Sequence, residues 1–253
     1  MICFVDYRTT KEELVNIEKQ KLYPIIVPKT EKVYKAINGH VDIQLNIINK
    51  QKKLIIVQKD ISDLFLHELE INNINYLLSS KSLGSKYPED IILNALILDD
   101  FFLHNLNYTD TTLLETQNSK IKITVKQGYT KCSVLPVGNK AFITSDKNIN
   151  EALLNLGMDV LLVPPGDILL PSLNYGFIGG VGGLISPNKI GLFGELKNYI
   201  YGDLVYNFLY KYDVEPIYLK KGKLIDRGSL LTLTLSFFNL SNFFFKLIYF
   251  FFY

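Results

Sequence analysis

The chain has 253 residues, of which 48% are hydrophobic and 21% charged, and a formal net charge of +2. This is the composition of a globular protein, which sets aside a disordered polar chain; the lysines are spread and not massed, so nothing demands a nucleic-acid partner and none is expected. Cys3 and Cys132 are too few for a disulfide framework and form no CxxC pair, so a reducing cytoplasm is the expected location.

Met1 leads straight into an apolar segment with an acid at position 6, and no signal peptide is expected. His40, His67 and His104 lie far apart and none stands at ligand spacing from a cysteine, so neither a metal site nor a cofactor is expected.

The predicted elements repeat in the order strand, helix, strand, strand with a period of about 50 residues, the signature of a propeller or an array. The first unit (1–51) reads as the strand ICFVD, a helix over 11–21, a strand at 24–28 and a third strand, HVDIQLNII. Alternation along that third strand places His40 and Asp42 on one face. The second unit (52–99) gives KLIIVQKD, a helix over 61–73, NYLLSS and EDIILNALIL, in which Asp90 stands where Asp42 stands and Asn94 repeats Asn46. His67, beside Glu68 on the helix, reads as solvated.

The third unit (100–138) gives FFLHNLNYTD, a short helical stretch after Thr111, KITVKQGYT and CSVLPVG. Cys132 falls at the start of its third strand, in register with Asp42 and Asp90. Two readings stand open for it: a small core hydrophobe, or a thiol activated by Lys131 or an imidazolium. His104 is expected to pack or to meet solvent. The fourth unit (139–187) gives KAFITSD, NINEALLNLG, DVLLVPPGD with Asp167, and FIGGVGGLI. That glycine run lacks the GxGxxG spacing and a following helix start, so close backbone packing at a crowded centre is expected and not a phosphate loop. The fifth unit (188–235) gives KIGLFGEL, a helix over 202–212, VEPIYLKKG and LIDRGSLLTL. Asp226 and Arg227 take the same strand-start position, and Arg227 suits pairing with a carboxylate or holding an anionic group of a ligand.

An acid ends the first strand of every unit: Asp6, Asp60, Asp110, Asp146 and Glu195. Helix N-capping is the expected reason. Beyond the fifth unit, 236–253 is nearly all Phe, Leu, Tyr and Asn; it reads as a tail extra to the fold, with a membrane partner expected only if it is a genuine anchor.

Five such units closing around a channel resemble the pentein, or guanidino-group-modifying enzyme, fold: an α/β five-bladed propeller of βαββ units forming a single domain over 1–235. NGHVD, QGYTKC, ITSD, PPGDILLP, YGFIGG and GKLIDRG are similar to a bacterial family of that fold with no established activity. The resemblance to the catalytic members implies a covalent mechanism on a small guanidino substrate. Cys132 attacks the guanidinium carbon, His40 of the HxD motif transfers protons and Asp42 grips the guanidinium nitrogens. Those enzymes carry a further carboxylate in a GGD motif where this chain reads Gly179, Gly180, Val181; Asp90, Asp167 and Asp226, with Arg227, are the candidates for the remaining substrate contacts. The competing expectation is a non-catalytic member that binds a macromolecule, as ribosome-associated proteins of this fold do, with a plugged channel and an inert Cys132.

Overall fold

A computed structural model describes residues 1–233, so the expectation of a tail over 236–253 lies outside the described residues. In chain order the elements are β1 (Ile2–Asp6), α1 (Lys11–Lys19), β2 (Tyr23–Val27), α2 (Val41–Gln44), β3 (Leu45–Asn49), β4 (Leu54–Val57), α3 (Asp63–Ile71), β5 (Asn75–Leu78), β6 (Leu96–Ile97), β7 (Phe101–His104), α4 (Thr111–Thr116), β8 (Ile121–Thr124) and β9 (Val134–Pro136). They continue with β10 (Ala141–Thr144), α5 (Lys147–Asn155), β11 (Asp159–Leu162), β12 (Gly182–Ser186), β13 (Lys189–Leu192), α6 (Gly202–Lys211), β14 (Glu215–Tyr218) and β15 (Leu231–Leu233).

The strands form five three-stranded sheets: β15-β1-β2, β3-β4-β5, β6-β7-β8, β9-β10-β11 and β12-β13-β14. Each has one parallel pair, in which a helix carries the chain from the central strand to the outer one, and one antiparallel pair. The central strands are apolar because they are covered on both faces: every residue of β1 and β10 is buried. The outer strands β5 and β8 are more open to solvent, with Asn75, Leu77, Leu78, Ile121 and Thr124 exposed.

The sheets are offset from the sequence repeat by one strand. The third strand of each unit pairs with the first strand of the next, and β15 returns to pair antiparallel with β1, with Ile2 opposite Leu233 and Phe4 opposite Leu231. The core follows the same cyclic order. Phe4 packs with Leu45 and Phe65 between the first two sheets, and Ile56 with Phe102 between the next two. Leu103 packs with Phe142, Ile143 with Ile190, and Phe193 with Cys3 and Val5 of the first sheet. Each sheet is thus stapled to its successor by buried hydrocarbon, and the last to the first.

Capping explains only part of the repeated acids. Asp110 and Asp146 accept the backbone N–H groups of Leu113 and Ile149 and cap α4 and α5. For α1 and α3 the caps are Thr10 and Ser62 instead. Asp6 forms an ion pair with Arg8, and Glu195 accepts from the Gly222 N–H at 2.8 Å. Among the described residues no helix is long and apolar enough to cross a membrane.

Candidate active site

His40 and Asp42 come together, but on different backbone from the strand expected. His40 stands at the N-terminus of the short helix α2, Asp42 lies in its only full turn, and the strand starts at Leu45. The turn is pinned across the molecule by Asp42 N–H donating to the Gly228 carbonyl at 3.1 Å. Gly228 has a φ of +70°, and a β-carbon there would stand 2.3 Å from His40 Cβ. Its lack of a side chain therefore lets the 226–230 segment lie against the imidazole.

Cys132 reaches the same place from the third unit, just ahead of β9 and not within it. The ligating atoms of His40, Asp42 and Cys132 all lie within 4.8 Å of one another, and all three residues are buried. Asn94 holds this arrangement. Its Nδ2 donates to the Asp42 carbonyl at 2.8 Å and to Cys132 Sγ at 3.2 Å, while its Oδ1 accepts the N–H groups of Lys131 and Cys132 at 2.9 and 3.1 Å. One amide side chain thus fixes both the nucleophile candidate and the acid-bearing turn. Ser229 Oγ sits 2.6 Å from Asp42 Oδ2 and 2.9 Å from the Gly179 carbonyl, and accepts from Lys131 Nζ at 3.1 Å.

Asp226 lies on the other side of the imidazole, with Oδ1 at 3.8 Å from His40 Nδ1. Its carboxylate accepts the N–H groups of Phe177 and Gly228 at 2.8 and 2.9 Å. The glycine run makes room for it: a β-carbon on Gly180 would fall 1.9 Å from Asp226 Oδ1. Close packing at the centre is therefore what these glycines provide, and of Asp90, Asp167 and Asp226 it is Asp226 that lies beside His40.

The electrostatics follow from burial. Desolvation pushes the Cys132 thiol well above its ordinary value, assisted by the charges of Asp42 and Asp226, and holds the His40 imidazole down at about 4. Burial likewise raises Asp42, lifts Asp226 to about 6 and lowers the Lys131 ammonium. Burial thus favours the thiol over the thiolate and the neutral imidazole over the imidazolium. Neither His40 nitrogen has a hydrogen-bond partner, and Asp42 Oδ1 has none either. The unpartnered imidazole lies beside a cavity of about 260 Å³, which His40, Cys132 and Asp226 line together with Tyr34, Tyr129 and Phe177.

The other candidates lie elsewhere. Asp90 stands behind the cavity wall and accepts the Tyr129 hydroxyl at 2.6 Å. Arg227 turns away to Glu13, 3.3 Å from its carboxylate. Asp167 is at the surface, 2.6 Å from Lys223 Nζ and accepting the Ile200 N–H. His104 is a core residue bonded to Thr109 and to the Gly128 carbonyl, and His67 is exposed beside Glu70. The residues that sequence reasoning left out of the site are Asn94, Ser229 and Tyr129. Only Asn94 gave a signal, through its repetition of Asn46, and Asn46 spends its amide on the Leu93 and Ala95 carbonyls.

Comparison with curated protein sequences finds no match. Among solved structures the chain is similar to SxtG, an amidinotransferase from Microseira wollei in the saxitoxin biosynthetic pathway, at 9% identity and a TM-score of 0.53, covering 89% of this chain and 82% of that one. It is also similar to the inosamine-phosphate amidinotransferase StrB1 from Streptomyces griseus, at 12% identity and a TM-score of 0.46, over 73% of this chain and 65% of that one. At these identities the first likeness concerns the fold alone. Residues 4–231 match the Family of unknown function (DUF6873), and the chain belongs to that family.

Proposed function

We propose that the five sheets close into a five-bladed propeller and that its centre carries a Cys-dependent hydrolase or amidinotransferase acting on a small guanidino or amidine compound. The observation that carries this reading is the convergence of Cys132, His40 and Asp42 within 4.8 Å of one another, from segments about ninety residues apart, with His40 and Cys132 lining one cavity. The fold shared with an amidinotransferase supports it, and the cavity beside the sulfur favours it over a plugged, purely binding protein. Both cysteines are free, which fits a reducing cytoplasm.

The chemistry follows from the resting state. A planar cation entering the cavity meets the Asp226 carboxylate, with Asp42 within 4.8 Å of the sulfur and the imidazole, and its charge favours the thiolate that burial disfavours. The thiol proton passes to His40, Sγ attacks the guanidinium carbon, and a tetrahedral adduct forms. Collapse of that adduct breaks a carbon–nitrogen bond; the amine leaves with the proton from His40 and a thiouronium remains on Cys132. Water, deprotonated by His40, or an acceptor amine then attacks the same carbon and the carbon–sulfur bond breaks, returning the thiolate. Asp226, 3.8 Å from His40 Nδ1, favours the imidazolium by its charge, and Asn94 positions the sulfur.

The test is product release from a panel of small guanidines and amidines, with and without an acceptor amine. Cys132→Ala is expected to abolish turnover and His40→Ala to lower it by about 10²–10⁴-fold. Turnover that survives in the Cys132→Ala protein would end this reading.

A further inference from the structure

We infer that the compound taken by this cavity carries no anionic group: its far end is uncharged or cationic, which sets aside free amino acids and phosphorylated guanidines. This rests on the guanidine reading above and concerns the part of the substrate that does not react. The wall opposite His40 and Cys132 is aromatic. Tyr129 packs with its ring centroid 5.8 Å from that of Phe177 and 5.8 Å from that of Tyr87, and Tyr34 reaches it hydroxyl to hydroxyl at 3.1 Å. Such faces favour a cation or an alkyl chain over an anion.

Behind the wall stands a second acid. The Tyr129 hydroxyl donates to Asp90 Oδ2 at 2.6 Å, and the other oxygen of this buried carboxylate has no hydrogen-bond partner. Asp226 faces the cavity directly, so the enclosed potential is negative from two sides. The cations nearby are committed elsewhere. Arg8 pairs with Asp6 and donates to the Ala36 carbonyl, Arg227 pairs with Glu13, and Lys131 lies below the floor on Ser229. Among the described residues lining the cavity there is no lysine or arginine. A carboxylate or phosphate drawn in with the guanidinium would lose water beside two acids with no counter-ion to meet it. The volume of about 260 Å³ also lies below the usual range of ligand pockets, about 300–1,000 Å³, and suits a short chain.

The experiment is calorimetric titration of a Cys132→Ser protein, which binds without turning over, with butylguanidine, its ω-amino analogue and its ω-carboxylate analogue. The first two are expected to bind with comparable affinity and the carboxylate about tenfold or more weakly. Midpoint shifts in thermal unfolding of the wild type with the same compounds give the same ranking whether or not the variant folds. Asn174→Lys, at the exposed rim of the cavity, is expected to strengthen the carboxylate relative to butylguanidine. A carboxylate that binds as tightly as butylguanidine overturns this inference and leaves the guanidine reading standing. Failure of all three compounds to bind overturns both.

Discussion

His40 and Asp226 are buried against each other and titrate in opposite senses, which ties the site to the pH dependence of folding. The imidazole falls from 6.5 to about 4 on folding, so the unfolded chain takes up its proton first and acidification from pH 6.5 towards 4 destabilises the fold. The Asp226 carboxyl rises from 3.8 to about 6, so over the pH range from 6 down to 3.8 the folded protein binds the extra proton and acidification stabilises it. The two effects oppose each other in the wild type. In Asp226→Asn the Asp226 contribution that opposes the histidine effect is removed, and the urea-unfolding free energy is expected to fall more steeply between pH 6.5 and 4 than in the wild type; equal slopes would show that Asp226 takes up no proton there. Gly180→Ala places a β-carbon 1.9 Å from the same carboxylate and is expected to cost about 1–3 kcal/mol. The reactive residue types were legible in the sequence because imidazole, thiol and carboxylate are chemically distinctive. Which acids face the cavity was not. Asp226 and Arg227 are chain neighbours, yet one meets His40 and the other Glu13, and their backbone N–H groups are held by the Leu169 and Gly180 carbonyls, which are distant in the chain.

The repeated element, strand then helix then parallel strand, was readable from apolar runs and turn residues, and the helices lie within two residues of the expected ends. The acids ending the first strands show the limit of that reading, since one sequence position serves four purposes. Asp146 caps α5 directly, whereas α3 is capped by Ser62, and Asp60 lies 3.5 Å from Lys32 at the surface. Asp146→Ala is therefore expected to lower stability by about 1 kcal/mol, and Asp60→Ala to stay within about 0.5 kcal/mol of wild type, measured by denaturant unfolding. Similar losses at both positions would contradict this assignment of caps. The segment bearing His40 was misread as strand because its residues alternate in polarity. A strand needs a ladder partner, and here the backbone N–H of Asp42 is taken by Gly228 from across the molecule.

At the scale of the whole molecule, closure is what brings the chemistry together. Asp42 belongs to the first unit, Asn94 to the second, Cys132 to the third, and Asp226 and Ser229 to the fifth, so no two consecutive units hold the complete set. The offset of one strand between repeat and sheet makes β15 the closing element, and Leu233 there is buried in the core between the first two sheets. Leu233→Ala is expected to cost about 2–5 kcal/mol and to lower the unfolding midpoint reported by signals from every sheet together; a loss confined to the first sheet would contradict a cyclic core. The periodicity made five units legible, while the convergence of their loops on one cavity depends on long-range packing that no local pattern encodes. The most direct test compares labelling of Cys132 at neutral pH by chloroacetamidine, a planar cation, with labelling by the neutral isostere chloroacetamide, each rate normalised to a free thiol and read by mass spectrometry. Preferential labelling by the cation, lost in His40→Ala, is the expected result; equal normalised rates, or a preference for the neutral reagent, would contradict a guanidine-binding nucleophile at this site.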